Sequence, residues 1–274
     1  MRAYCRQLVK GGKSIGLVPT MGALHEGHLS LVRRAEEEND LSLVSIFVNP
    51  IQFGPREDFH KYPRAPEHDL AKLALLHVDA VFMPPAGEMY PEGFSASIHM
   101  GKIGEILCGI SRPGHFDGVA TVVAKLFNIL MPDRVYFGQK DFQQTVIIKK
   151  LVSDLNFQTD IVVCPIIREP DGLAMSSRNI YLNDKERKSA LVLFKTLKFG
   201  EKLILSEGMK DALRVREEMT SFLKSEPLAA VEYIEIADPR DLSPVNKIEG
   251  SVVLLIAVKI GNTRLIDNII IERN

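Results

Sequence analysis

The chain has 274 residues, of which 46% are hydrophobic and 25% are charged, and its formal net charge is −1. This balance is typical of globular proteins, and the length is enough for one large domain or two modest ones. A net charge near zero argues against a dedicated nucleic-acid surface, and no apolar run is long enough to span a membrane. We therefore predict neither a nucleic-acid partner nor a membrane partner.

The cysteines and the lack of a targeting segment indicate a compartment. Cys5, Cys108 and Cys164 have no metal-ligand spacing, and three cysteines cannot all pair with one another. Buried thiols in a reducing environment are the expected state of such residues. Because the sequence shows no targeting segment, we expect a cytoplasmic protein.

Strand and helix patterns alternate up to about residue 165. Predicted strands are Ile15–Val18, Leu41–Val48, Ala80–Met83, Val135–Phe137 and Thr159–Val163, with helices near His28–Asn39, Pro66–His77, Gly118–Leu130 and Phe142–Leu155. Nearly continuous apolar strands separated by helices predict an α/β fold, a Rossmann-like doubly wound parallel sheet. Such sheets bind ligands at the carboxyl ends of their strands, where the strand order reverses.

A different pattern follows Asp184. Amphipathic helices are predicted near Asp184–Leu205 and Lys210–Lys224, followed by strands at Val231–Ala237, Ser251–Ile260 and Thr263–Ile271, with a hairpin turn at Gly261-Asn262. Helices followed by consecutive strands predict a smaller α+β domain. We therefore expect a nucleotide-binding domain over residues 1–173 and a C-terminal α+β domain over residues 174–274 that closes over the active site.

The most informative segment is PTMGALHEGHLSLV, residues 19–32. Here His25 and His28 fall where the first predicted strand gives way to apolar residues at helical spacing. A helix N-terminus offers backbone N–H groups and the positive end of the helix dipole, which favours an anion such as a nucleotide phosphate. Gly22 permits a tight turn, and Gly27 lets a ligand approach the backbone.

Two other interpretations of this region fail. The sequence Gly12-Lys13-Ser14 resembles the end of a P-loop, but Gln7 occupies the place of the required first glycine and the segment precedes the strand. His25-Glu26-Gly27-His28 is one residue shorter than the zinc-protease motif, which needs two histidines at i and i+4.

Further polar segments follow other predicted strands. Gln52 in NPIQFG can recognise hydroxyl and carboxylate groups, or it can simply stabilise its loop. In GQKDFQQ, Lys140 can neutralise phosphate, Asp141 can bind ribose hydroxyls or cap a helix, and Gln144 can share a face with Asp141.

Two more segments carry arginine. The segment CGISRPGHFDG places Arg112 and His115 on an irregular loop, as a lid or anion contact or as a purely structural feature. Arg178 in MSSRN suits phosphate oxygens, with a surface salt bridge as the alternative. Several polar segments that follow strands favour a joint functional interpretation.

Together, PTMGALHEGH, VNPIQF, RPGHFDGV, GQKDFQQ and DGLAMSSRN resemble the motifs of the pantothenate synthetase (pantoate–β-alanine ligase) family. This family belongs to the H-x-G-H nucleotidyltransferase superfamily, and the resemblance covers nearly the whole chain. It implies condensation of pantoate with β-alanine, driven by MgATP through a pantoyl adenylate, with AMP and pyrophosphate as products. It also implies a homodimer.

The resemblance also implies roles for individual residues. His25, His28, Lys140 and Arg178 would be catalytic. ATP would be bound by Met21, Gly22, Ala23, Leu24, His25, Glu26, Gly27 and His28, by Gly138, Gln139, Lys140 and Asp141, and by Ile167, Met175, Ser176, Ser177 and Arg178. Gln52 and Gln144 would bind pantoate, and Gln52 would border the β-alanine site.

The chain departs from the family pattern at two places. His68 stands where members often carry an acidic residue, so we assign no protein ligand to Mg²⁺. Members usually begin with a strand before the stretch that matches Met1–Tyr4, so we expect either a start further upstream or a sheet without that edge strand.

Three alternatives remain open at this point. Another H-x-G-H nucleotidyltransferase would act on a phosphorylated substrate and release pyrophosphate without forming an amide. An aminoacyl-tRNA synthetase fragment would need a KMSKS-like loop and a basic tRNA-binding domain, whereas this chain has MSSR and a near-neutral charge. A non-catalytic nucleotide-binding protein would not need this set of polar residues.

Overall fold

A computed structural model describes residues 1–55 and 57–272. The chain divides into two compact units. The first comprises residues 1–139 and 143–165, and the second begins at residue 166 and also includes residues 140–142.

A five-stranded sheet organises the first unit. Its strands are β1 (Ile15–Thr20), β2 (Leu41–Ile46), β3 (Ala80–Phe82), β4 (Arg134–Gly138) and β5 (Asp160–Cys164), in the order β3-β2-β1-β4-β5. Every neighbouring pair is parallel. The strand order reverses between β1 and β4, so their carboxyl ends form the position where such sheets bind ligands. The predicted α/β class is confirmed.

Helices cover both faces of this sheet. They are α1 (Arg2–Lys10), α2 (Glu26–Glu38), α3 (Pro66–Ala74), α4 (Ala86–Met89), α5 (Lys102–Glu105), α6 (Cys108–Ser111), α7 (His115–Leu130) and α8 (Phe142–Asp154). Neighbouring residues of β1 show the two layers, because successive side chains of a strand point to opposite faces. Leu17 packs in a core with Ala120 of α7, whereas Val18 packs in a separate core with Val32 of α2.

The second unit is a small α+β structure. Its helices are α9 (Asp184–Ala190), α10 (Val192–Leu205) and α11 (Ala212–Lys224), and its antiparallel strands are β6 (Ala229–Ala237), β7 (Val252–Ile260) and β8 (Thr263–Ile271). In the middle of the sheet, β7 is buried except at Lys259. The predicted hairpin turn is confirmed, because Ile260 pairs with Thr263 across Gly261, which has φ +57°.

Several predicted boundaries are wrong by a few residues, with identifiable causes. The strand predicted to reach Val48 ends at Ile46, because its partner β1 ends at Thr20, opposite Ile46. The single helix predicted over Asp184–Leu205 is two helices. At Leu191 the backbone N–H bonds the carbonyl of Lys188, three residues back, which interrupts the α-helical ladder.

Other features of the described residues bear on the predictions. Helix α1 was not predicted, although it is amphipathic, because its mean hydropathy is low and Cys5 is its only buried residue. All three cysteines are buried, as expected. Within residues 1–55 and 57–272, no helix is long and apolar enough to cross a membrane.

Candidate active site

Strand β1 ends in a turn with a left-handed backbone. Gly22 has φ +81° and Ala23 has φ +50°. The hydroxyl of Thr20 accepts a hydrogen bond from the Gly22 N–H (3.1 Å) and donates one to the carbonyl of Ser45 on β2 (2.9 Å). A glycine suits position 22, because its φ strains other residues and a Cβ would lie 3.1 Å from a carboxylate oxygen of Asp69.

Asp69 on α3 fastens this turn, and sequence reasoning missed it. The side chain is 1% exposed. One carboxylate oxygen accepts from the N–H of Ala23 and the other from the N–H of Leu24, each at 2.8 Å. The ammonium of Lys72 donates to the carbonyl of Leu24. This carboxylate is therefore engaged by the backbone of the turn that leads to His25.

His25 and His28 lie at the N-terminus of α2, as predicted. Their ring centroids are 4.1 Å apart. The backbone N–H of His25 donates to Nδ1 of His28 at 3.3 Å. Because an N–H can only donate, Nδ1 of His28 holds a lone pair, and the neutral ring carries its proton on Nε2. His28 thus offers an N–H donor through Nε2.

Gln52 follows β2 in a 3-10 turn, Pro50–Gln52, and is buried. The side-chain NH₂ of Asn49 donates to the carbonyl of Gly118 (3.1 Å) and to Oε1 of Gln52 (3.0 Å). A carbonyl only accepts, so Gly118 determines the orientation of the Asn49 amide, and Asn49 in turn determines that of Gln52.

The consequence is that Gln52 directs its NH₂ group toward Met21. The distance from Nε2 to the sulfur of Met21 is 3.2 Å, so the structure brings together these two predicted site residues. The hydroxyl of Tyr90 donates to Asn49 Oδ1 at 2.7 Å. Burial raises the pKa of Tyr90, which keeps this phenol protonated as a donor. Asn49 and Tyr90 are further residues that the sequence analysis did not assign to the site.

The loop that carries Arg112 and His115 supports Gln52. Arg112 forms a two-pronged ion pair with Glu57, at 2.9 and 2.6 Å, and its Nη1 lies 2.9 Å from Nε2 of His115. Arginine cannot accept, so His115 Nε2 accepts and its Nδ1–H donates to the carbonyl of Gln52 at 2.8 Å. These contacts favour the structural interpretation of the loop over an anion contact.

Two adjacent glutamines of α8 have different surroundings. Gln143 is buried, accepts from the N–H of Cys108 (3.0 Å) and donates to the carbonyls of Ile103 (3.0 Å) and Ile106 (2.8 Å). Gln144 is half-buried in the first turn of α8. Its role in binding pantoate stays a prediction.

Gly138 is the last residue of β4, at the reversal of strand order, and the next three residues, Gln139–Asp141, form a 3-10 turn. Lys140 and Asp141 belong to the second unit. The carbonyl of Lys140 accepts from the side-chain amide of Asn268 at 3.0 Å, and Asp141 is exposed.

The remaining predicted residues of the second unit lie along one hairpin and the turn after it. The N–H of Met175 donates to the carbonyl of Ile167 at 3.0 Å, so these two residues are neighbours. The hydroxyl of Ser176 accepts from the N–H of Arg178 at 3.3 Å, at the start of a 3-10 helix, Ser177–Tyr181. Across the described residues of both units, no group of three or more His, Cys, Asp or Glu side chains could hold a metal ion.

Comparison with known families decides the relationship. The model of the pantoate–β-alanine ligase family matches residues 1–270 of this chain. The chain belongs to this family. Pantothenate synthetase from Thermodesulfovibrio yellowstonii is 55% identical over 273 residues, covering 99% of this chain and 97% of that protein. The enzyme of the same name from Carboxydothermus hydrogenoformans is also 55% identical, over 99% of this chain and 96% of that protein.

Solved structures agree with this assignment. Pantoate–β-alanine ligase from Thermus thermophilus superposes with a TM-score of 0.90 at 43% identity, covering 93% of this chain and 92% of that one. The Francisella tularensis ligase, solved with β-γ ATP and β-alanine, has a TM-score of 0.79 at 39% identity, covering 98% of this chain and 93% of that one. As a family member, this chain is a pantoate–β-alanine ligase, and the predicted enzyme class is confirmed. The comparisons support this assignment and not another type of nucleotidyltransferase.

Proposed function

We propose that this chain forms pantothenate in two steps at the carboxyl ends of its parallel strands. In the first step, the pantoate carboxylate attacks the α-phosphorus of MgATP, and pyrophosphate leaves as pantoyl adenylate forms. In the second, the amine of β-alanine attacks the acyl carbon of the adenylate, AMP leaves, and the amine loses a proton as the amide forms. The observation that carries the proposal is the histidine pair at the N-terminus of α2, at the reversal of strand order.

The first step brings two anions together, and the proposed catalytic residues offset their repulsion. His28 donates through Nε2 to the phosphates, with His25 beside it. Lys140 and Arg178 add positive charge, and Mg²⁺ enters with the nucleotide. Fixed donors directed at developing negative charge stabilise the transition state without reorganising.

The remaining residues proposed to contact ATP come from several segments of the chain. Met21–Glu26, Gly27, Gly138 and Gln139 lie at or just after the ends of strands of the parallel sheet. Asp141 binds the ribose, the backbone of Ile167 contacts adenine, and Met175–Ser177 contact the phosphates. The position of Glu26 and Gly27 at the start of α2 supports this role, because the first N–H groups of an α-helix can bond an anion.

Pantoate binds to Gln52 and Gln144 in this proposal. The orientation of the Gln52 amide, set by Gly118 through Asn49, offers its NH₂ and so suits an acceptor such as a carboxylate or hydroxyl oxygen. A pocket with such committed amides discriminates against acids that lack matching oxygens. Gln52 also borders the β-alanine site.

The proposal also includes a cytoplasmic homodimer and a C-terminal region, residues 174–274, that closes over the bound substrates. Sedimentation of the purified protein tests the oligomeric state, with a mass of about twice the 30.6 kDa chain expected.

The reaction is tested by measuring pyrophosphate and AMP release from purified protein with MgATP, alone and after adding pantoate and then β-alanine. We expect pyrophosphate with pantoate, and AMP with an amide product only when β-alanine is present. Pyrophosphate release without amide formation would contradict the assigned amine site. No turnover with pantoate would contradict the assigned substrate.

A further inference from the structure

Strand β8 carries two consecutive buried polar residues within residues 265–271, whose other members are all apolar. Asp267 is 3% exposed and Asn268 is 2% exposed. Adjacent residues of a strand point to opposite faces of the sheet, and a polar residue is usually found on the face exposed to solvent. Because both side chains are buried, solvent exposure explains neither of them. Burying a carboxylate and an amide in a strand is unfavourable unless each is hydrogen-bonded. The partners of these two groups therefore indicate why they are there.

Asn268 holds the segment that contains Lys140. Its Nδ2 donates to the backbone carbonyl of Lys140 at 3.0 Å, although the two residues are far apart in the sequence. A lysine side chain has a long flexible stem, so the position of its ammonium depends on where its backbone is held. By bonding the Lys140 carbonyl, Asn268 fixes the backbone from which this side chain extends and so restricts where the ammonium can lie.

Asp267 holds the hairpin that leads to Arg178. Its carboxylate accepts from both terminal nitrogens of Arg168, at 2.7 and 2.9 Å. Arg168 also donates to the carbonyl of Gly172 at 3.1 Å, and its guanidinium lies 3.9 Å from the centroid of the Phe194 ring. Arg168 is thus held on three sides, directly after Ile167.

The two anchors are joined to each other. One oxygen of Asp267 also accepts from the backbone N–H of Asn268 at 2.8 Å. A single pair of residues on β8 is therefore bonded to both second-unit segments that the proposed function assigns to ATP.

We propose that Asp267 and Asn268 are positioning residues for the nucleotide. Asn268 places Lys140, and Asp267 places the segment Ile167–Arg178 through Arg168. The inference rests on the proposed function, because it assumes that Lys140 and Arg178 bind phosphate. Positioning matters at such sites because small displacements of a charged donor are costly to binding and rate.

A double-mutant cycle tests the Asn268 anchor. The readout is the dissociation constant of a non-hydrolysable MgATP analogue, measured by calorimetry on the full chain, with unfolding temperature measured in parallel. Asn268→Leu keeps the side-chain size and removes the donor, and we expect it to weaken binding about tenfold. In the Lys140→Ala background, we expect Asn268→Leu to change binding by less than about twofold, because the group it positions is gone.

Thr263→Val is the matched control, because Thr263 is another buried polar residue of β8 and has no assigned role. We expect it to leave nucleotide affinity unchanged. If Asn268→Leu does not fold, Asn268→Ser enters the same cycle, since serine keeps a polar group that is too short to reach Lys140. Equal weakening by the Asn268 change in both backgrounds would overturn the positioning role.

The Asp267 anchor has its own cycle with Arg178. Asp267→Asn keeps the shape and removes the charge that holds Arg168. We expect it to weaken analogue binding in the native background but to add little to Arg178→Ala. Full additivity would overturn this half of the inference. If Lys140→Ala and Arg178→Ala leave the affinity for the analogue unchanged, Lys140 and Arg178 do not bind ATP, and both the proposed function of these residues and the inference fail. If these variants weaken binding but the effects in the double-mutant cycles are additive, only the inference fails.

Discussion

Only one ring nitrogen of His28 can donate a hydrogen bond to a ligand, because His25 engages the other. The His28 Nδ1 accepts from the backbone N–H of His25, so only Nε2 can donate to a ligand. A similar constraint acts on Gln52, whose oxygen is engaged by Asn49. For His28 the fixed group is a backbone N–H, which can only donate. For Gln52 it is the carbonyl of Gly118, which can only accept and acts through Asn49. Each backbone group therefore determines which hydrogen bonds the side chain can form with a ligand.

Replacing His28 tests this assignment. We expect His28→Ala to lower pantoate-dependent pyrophosphate release by about 10²-fold or more, as when a donor to developing charge is removed. His28→Gln should retain part of the activity, because its amide nitrogen can reach the position of Nε2. The circular dichroism spectrum should not change.

His99→Ala is the control for His28, because His99 lies on the surface with its side chain 68% exposed and pairs with Asp117. It should keep normal pyrophosphate release. Unchanged release by His28→Ala would remove His28 from the catalytic set.

The adjacent glutamines of α8 give a second prediction. Gln144→Ala should raise the pantoate KM and leave the unfolding temperature near that of the native protein. Gln143→Ala should instead destabilise the fold by about 1–3 kcal/mol, since it leaves the buried N–H of Cys108 and the part-buried carbonyls of Ile103 and Ile106 without their partner. Steady-state kinetics and chemical denaturation distinguish the two. A normal pantoate KM for Gln144→Ala would contradict the pocket assignment.

At the scale of elements, helix α7 is the support for the turn after β2. It buries twelve of its 16 residues, so the helix is held firmly in the core. Through Gly118 it meets Gln52 at very close range, and through His115 it binds the carbonyl of Gln52. The position of Gln52 therefore depends on a helix more than 60 residues further along the chain.

Gly118→Ala tests this contact. A Cβ at position 118 would lie 2.5 Å from the carbonyl of Ile51 and 2.8 Å from the backbone N of Gln52, so the turn must move. Alanine improves helix propensity by about 1 kcal/mol, yet we expect net destabilisation and a raised pantoate KM. Gly87→Ala is the control, because no atom lies within 4 Å of a Cβ there. If Gly118→Ala matches that control in both stability and KM, the close contact has no role.

At the scale of the whole molecule, each unit has its own hydrophobic core. Leu197, Met219 and Leu254 belong to the core of the second unit, whereas Cys5 and Cys164 lie in the two cores that flank the five-stranded sheet of the first. Cysteines in such positions report on the integrity of the core, because they become reactive only when the core opens.

Thiol chemistry gives the corresponding prediction. Burial raises the pKa of both Cys5 and Cys164. A raised pKa in the folded state favours the protonated thiol, so its contribution to stability is present below the pKa of the unfolded thiol and is lost as pH rises toward the folded value. We expect the free energy of unfolding to decline above about pH 8.5, the ordinary pKa of a thiol.

Denaturation at several pH values measures that decline, and the double variant Cys5→Ala, Cys164→Ala should show a smaller slope over the same range. In parallel, a thiol reagent should react slowly with the native protein and quickly with all three cysteines in guanidinium. Rapid labelling of Cys5 or Cys164 in the native protein at pH 8 would contradict the burial.

Local sequence patterns were enough to predict the secondary structure and the most prominent motif. Apolar runs and helical periodicity specify the alternating strands and helices, and these patterns depend on residues close together in the chain. The strand-turn-helix around His25 and His28 is local in the same way. For this reason the α/β class, the hairpin at Gly261 and the histidine turn were all predicted correctly.

The side chains that hold the site in place could not be predicted in this way, because they act through contacts between residues far apart in the chain. Asp69 bonds the turn before His25, Gly118 orients Gln52 through Asn49, and Asn268 holds Lys140, in each case across long stretches of sequence. No local pattern signals such pairs, because a hydrogen bond depends on distance in space and the same residue types occur equally on the surface. The different surroundings of Gln143 and Gln144 have the same cause: only the packing around α8 shows which glutamine is enclosed by backbone groups.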